Sequence, residues 1–160
     1  MPLIENIELE VIKSKIQELN FANMVGGKLA SKKDDYLNHT DIKIEIGIDL
    51  KGIKKIRRND LEANENYHWV ELKNTNGYEG WLYAGNNKYI AFETRNWVAI
   101  VDKERIKEIV NTRLIKQEAT TPIPYHIYKR QGREDSLTLI PTLDLFAVAS
   151  QIIQKPKYQY

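Results

Sequence analysis

The sequence predicts a mixed α/β or α+β fold, a mixed β-sheet flanked by helices and followed by a C-terminal hairpin and helix. Three observations carry this expectation. Several runs alternate apolar and polar side chains at the period of two that marks a half-buried strand, the longest being HTDIKIEIGIDLKG at residues 39–52. Other runs place apolar residues at the spacing of one helical face. The order of these runs is helix, three strands, irregular crossover, two strands, helix, two strands, helix, without a regular strand and helix alternation and without an internal repeat. A chain of 160 residues is the size of one domain. We expect a core over about residues 4–115 and a strand, hairpin and helix extension over about 120–155.

The first helix is expected from Ile4 to Leu19, where Ile4, Ile7, Val11, Ile12, Ile16 and Leu19 recur on one side. Glu8 falls near the middle of that apolar side, where a carboxylate needs a partner. VGGKLASKKDD, with two glycines and a run of charges, reads as a loop. In the long alternating segment Ile42, Ile44, Ile46, Ile48 and Leu50 form the apolar face, and Gly47 is the natural bend. A reversal around Glu45 to Gly47 gives a hairpin that sets Asp41 across from Asp49 and Lys51.

After the polar loop RRNDLEANEN, HWVELKN alternates again and reads as a third strand. TNGYEGWLYAGNN carries three glycines and reads as a loop with at most one short helix. KYIAFET and NWVAIVD are expected to pair as a hairpin turning at Thr94 to Asn96. Asp102 then caps a helix over KERIKEIVNTRL, whose Ile106, Ile109, Val110 and Leu114 share a face. YHIYKR and SLTLI are strands joined by the turn QGRED. Pro141 and Thr142 introduce a last helix over LDLFAVASQIIQ, apolar around most of its circumference.

The net charge of +2 is too mild to point to nucleic acid, but the cations are not spread evenly. KGIKKIRR places Lys51, Lys54, Lys55, Arg57 and Arg58 within eight positions, and Lys129, Arg130 and Arg133 follow near the C-terminal turn. With no cysteine, disulfides, thiolate zinc sites and a cysteine nucleophile are excluded. The start of the chain lacks the pattern of a secretory signal, and no window reaches the roughly 20 apolar residues that span a bilayer. The expectation is a protein of the reducing cytoplasm, bacterial or phage-infected, with no membrane partner.

Asp49 and Lys51, two apart on a strand, project from one face, and Asp41 on the other arm of the expected hairpin reaches them. Carboxylates gathered this closely repel unless a hard cation bridges them, and Mg²⁺ takes oxygen ligands while keeping water for a phosphate. A divalent ion polarises a phosphodiester and activates water, and an adjacent ammonium stabilises the developing charge. Those residue types in that pattern point to phosphodiester hydrolysis.

Asp41, a short hairpin and then Asp49-Leu50-Lys51 resemble the signature of the restriction-endonuclease-like nucleases, written PD…(D/E)xK, with Thr40 standing where the pattern has proline. The run from SKKDD through DLKG, WVELKN and GWLYAG to YIAFE is similar to small endonuclease-like proteins of phage and bacteria. The resemblance implies a core of helix, three strands, helix and strand, with Asp41, Asp49 and Lys51 catalytic. It implies Mg²⁺ or Mn²⁺ held by Asp41 and Asp49, with Glu8 or Glu71 completing the shell. Glu71-Leu72-Lys73 is a second acid-x-lysine, so Asp49 and Glu71 with Lys73 remain an alternative set.

The expectation is therefore a metal-dependent endonuclease acting on DNA. Lys54, Lys55, Arg57, Arg58, Lys129, Arg130 and Arg133 would hold phosphates. Cutting both strands calls for a homodimer or higher oligomer, with the apolar C-terminal helix as the contact. The alternative is a non-catalytic DNA-binding or assembly protein whose carboxylates only form ion pairs.

Overall fold

The computed structural model describes residues 11–13, 15–20, 22–23, 27–33, 42–43 and 45–156. Contacts divide the chain into two units, Met1–Ile46 and Gly47–Tyr160. In the first, residues 11–13 and 15–19 are helical, as the apolar spacing predicts, residues 20 and 22–23 are helical beyond the expected end at Leu19, and Lys15 pairs with Glu18 one turn on at 2.7 Å. The helical stripe of Val11, Ile12, Ile16 and Leu19 is exposed. Strands β1 (Lys28–Leu29) and β2 (Ile42–Lys43) pair antiparallel, Leu29 opposite Ile42.

The second unit is α+β and holds two mixed four-stranded sheets with two helices. Its strands are β3 (Ile48–Lys51), β4 (Tyr67–Lys73), β5 (Tyr89–Glu93), β6 (Trp97–Asp102), β7 (Ile115–Ala119), β8 (His126–Tyr128), β9 (Ser136–Pro141) and β10 (Gln151–Gln154), and its helices are α1 (Lys103–Arg113) and α2 (Thr142–Ala147). One sheet runs β10-β6-β5-β3 and the other β4-β9-β8-β7. The core lies between them. Ile90, Phe92, Ala99 and Val101 come from the first sheet, Val70 and Ile140 from the second. Ile106, Ile109 and Val110 of α1 and Leu145 of α2 close the same cluster.

Local signals build the best-read part. Asp102 has extended backbone, and its carboxylate accepts from the Glu104 N–H at 2.9 Å, satisfying one donor that the first helical turn leaves orphaned. Arg113 in the last turn faces the negative end of the helix dipole. The β5–β6 hairpin turns where expected, the Thr94 N–H donating to the Trp97 carbonyl at 2.8 Å.

Four expectations are corrected. VGGKLASKKDD, expected as a loop, carries strand β1 and helical residues 32–33. No hairpin joins β2 to β3: β2 pairs with β1, and β3 runs parallel to β5, Asp49 opposite Ile90. The burial of β3 is also inverted, with Ile48 and Leu50 exposed while Asp49 and Lys51 are half-buried. A parallel edge position beside β5, whose three central residues are buried, satisfies the backbone of β3 without a tight turn at Gly47. The long C-terminal helix is not formed either. It stops at Ala147, with no side-chain cap at its start, and QIIQ pairs antiparallel with β6 as β10. Two adjacent β-branched residues complete the open edge of a sheet better than they extend a helix. Leu145, at the centre of the apolar face on which a dimer contact was expected, is spent in the core. Finally, IKQEA, which carries no strand signal, forms β7 beside β8.

The aspartate cap gives a direct check on α1. Asp102→Ala should lower unfolding stability by about 1 kcal/mol, read as a shift of the urea midpoint at unchanged slope.

Candidate nucleic-acid interface

The ladder between β4 and β9 runs from Tyr67 opposite Pro141 to Lys73 opposite Ser136, with an irregularity between Glu71 and Lys73. Side chains alternate across it, so Trp69 and Glu71 leave one face while His68 and Val70 enter the core. On the outer face, with β8 on the far side of β9, lies a cleft of about 890 Å³. The sequence's two basic runs meet there. Lys54, Lys55, Arg57 and Arg58 come from the loop after β3, and Arg130 and Arg133 from the turn between β8 and β9. Lys51 joins them, and among the described residues Glu71 is the one carboxylate in the lining.

Both basic loops are held by the fold. The Asp60 carboxylate accepts from the Ile56 and Arg57 N–H groups at 3.2 and 2.7 Å. Lys54 and Asn64 form a bridge, and the Trp69 indole N–H donates to the Lys55 carbonyl at 3.2 Å. In the other loop Gly132 takes φ of 74°, a left-handed backbone that suits glycine, and the Arg133 N–H donates to the Arg130 carbonyl at 3.1 Å. The Arg130 guanidinium is locked onto the fully buried Asp135, its Nε donating at 2.7 Å. Lys129, expected to hold phosphates, instead pairs with Glu118 on β7 and is not part of the lining.

Lys51 pairs with Asp49 and Arg130 with Asp135. Lys54, Lys55, Arg57, Arg58 and Arg133 have no carboxylate partner among the described residues, and all five are exposed at the mouth. Cations gathered without counter-charges cost self-repulsion and attract a polyanion.

At the inner end the acid and lysine groups adjoin. The Lys51 ammonium lies 2.7 Å from an Asp49 oxygen and 4.7 Å above the Trp81 ring. The Trp81 backbone N–H donates to the Glu71 carboxylate at 3.3 Å. Gly80 makes that approach possible, since a Cβ there would stand 2.3 Å from the Glu71 carbonyl oxygen. Lys103, buried at the start of α1, donates to the Ala84 carbonyl. Burial chiefly, with the neighbouring Lys107 next, lowers its pKa, while Glu104 and, less, Asp49 act in the opposite direction. Sequence reasoning gave Lys103 no role, because nothing in a lysine's spacing announces burial.

Glu8 and Asp41 lie outside the described residues. Among the described residues no three of histidine, aspartate or glutamate gather as a metal cluster. Asp49 and Glu71, linked through Lys51 and Trp81, are oxygen donors of the class Mg²⁺ takes, and that ion needs only one or two carboxylates when water and phosphate supply the rest. Lys73, the other candidate cation, is exposed at the end of β4. Among the described residues no helix is long and apolar enough to cross a membrane. Comparisons with family models, curated proteins and solved structures find no match for this chain.

His68, buried in the wall of the cleft, contacts Phe92 at 5.1 Å between ring centres, and its Nε2 has no hydrogen-bond partner among the described residues. Burial lowers its pKa from 6.5 to about 4. The native state therefore keeps the ring neutral where the unfolded chain binds a proton. The contribution of His68 to stability should fall as pH drops from 6.5 to about 4 and level off below. The loss attributable to this residue is about 3 kcal/mol. Urea unfolding of the parent and of His68→Phe across that range should show a shallower decline in the variant.

Proposed function

We propose that this chain binds nucleic acid in the cleft beside β4 and β9. The supporting observation is the pairing of five exposed, carboxylate-free cations with a wall that carries Trp69, Trp81 and Tyr128. Phosphate contacts supply most of the affinity of such a surface and make it steeply dependent on salt. Arg57 and Arg133 stand on separate loops, so their joint loss samples both walls. Fluorescence anisotropy with labelled DNA should show Arg57→Ala/Arg133→Ala binding at least about tenfold more weakly. The slope of log affinity against log salt should fall by about 2. Unchanged affinity and slope would remove the cleft from the binding surface.

A second reading is that the chain is a metal-dependent endonuclease acting on DNA, as the resemblance to PD…(D/E)xK nucleases implies. It is favoured by the placement of Lys51 and Glu71 in the cleft wall and of Asp49 against Lys51. Mg²⁺ or Mn²⁺, held by Asp49 and Glu71, would supply Lewis-acid polarisation of the phosphodiester and a more acidic water. The chain's own part is to hold the strand against the cations and to keep an ammonium beside the reacting phosphate. Plasmid incubated with the protein and either ion should be nicked, with the activity lost in Asp49→Ala and Glu71→Ala. Loss in Lys51→Ala but not Lys73→Ala assigns the ammonium to Lys51, and the reverse assigns it to Lys73. A parent protein that binds DNA and never cuts it leaves the binding reading standing and ends this one.

A further inference from the structure

We propose that the cleft selects an unpaired nucleic-acid strand over a duplex, with bases stacked on Trp69 and Tyr128 and phosphates held at the mouth; this rests on the reading of the cleft as a nucleic-acid interface. The two rings stand 5.6 Å apart between centres at an interplanar angle of 34°, and both line the cleft. Tyr128 is opposite Leu137 and Trp69 opposite Leu139, so two strands of one sheet carry them on either side of β9. Strand backbones hold such a platform more rigidly than loops do. The one polar atom of the Trp69 indole is already bonded to the Lys55 carbonyl, so what the ring offers a ligand is its apolar surface.

Exposure is graded across the site. Lys54, Lys55, Arg57, Arg58 and Arg133 are exposed, while Trp69, Trp81 and Tyr128 are half-buried beneath them. That order, charge outside and aromatic surface inside, matches a strand with its phosphates toward the mouth and its bases turned in. A duplex keeps its bases stacked within itself and presents phosphates, so it would satisfy the cations and leave the rings without a partner. An unpaired strand satisfies both, since every base has a face that stacks. Glu71, on the floor and opposite Leu137 like Tyr128, disfavours a phosphate there and can accept from base amino groups. The volume of about 890 Å³ lies within the roughly 300–1,000 Å³ of pockets that take one small organic molecule, enough for a few nucleotides.

The test is anisotropy at one salt concentration with labelled oligothymidylate, oligouridylate and a duplex of the same length, using the full chain without added metal. At least one single strand should bind about tenfold or more tightly than the duplex. Trp69→Ala and Tyr128→Ala should each weaken that binding by about tenfold, and the duplex by much less. A duplex bound as tightly as both single strands overturns the inference and leaves the nucleic-acid reading intact. Single-strand affinity unchanged in either folded variant overturns it as well. No binding of any of the three overturns both. Should the alanine variants fail to fold, the parent's preference between strand and duplex decides alone.

Discussion

The cleft depends on the antiparallel ladder between β4 and β9. Those strands are far apart in sequence, and their register sets Trp69 opposite Leu139 and Glu71 opposite Leu137, with Tyr128 carried in on the next strand. The pairing also fixes where the two basic loops emerge. The turn after β8 must return to start β9, and the loop after β3 must deliver the chain to the start of β4. The core that underwrites the ladder is apolar burial on its inner face, where Val70 and Ile140 pack against Phe92 and Leu145. Removal of that burial would separate the walls of the cleft before it touched any cation.

A second constraint acts on β3. Its charged residues turn toward Trp81 and Lys103, while Ile48 and Leu50 face out. The Asp49–Lys51 pair is partly solvated, and such pairs contribute roughly 0–1 kcal/mol, so electrostatic gain does not explain the orientation. Parallel pairing with β5 and the seat of the Lys51 stem and ammonium on the Trp81 ring explain it better. An edge strand with its charged side inward and its apolar side out reverses the faces that a solvated hairpin of the same sequence would present.

What could be read in the sequence was what local chemistry decides. Asp102 and the spacing of Ile106, Ile109 and Val110 specify α1 without help from the rest of the chain. The β5–β6 hairpin and the β8–β9 turn are likewise short-range. Six of the seven residues expected to contact phosphate do share one cleft, because charge clusters in sequence stay clustered when the loop carrying them is pinned. Lys129 departs from them and pairs with Glu118 on β7. Choice of strand partner was not legible. The same alternation fits a β2–β3 hairpin and a β3–β5 pair, and only the tertiary contest for the edge of β5 separates them. The pairing of Trp69 with Tyr128 was hidden for the same reason: neither run names the other.

We infer that nucleic acid occupies this cleft. The three tryptophans report on it separately, since Trp69 and Trp81 line the cleft and Trp97 stands on β6 outside the lining. Proton–nitrogen NMR of the indole N–H groups during titration with a short oligonucleotide reads all three at once. The account predicts progressive, saturable shifts at Trp69 and Trp81 with Trp97 unmoved. Shifts confined to Trp97, or a bound oligonucleotide that leaves Trp69 and Trp81 where they were, would contradict it.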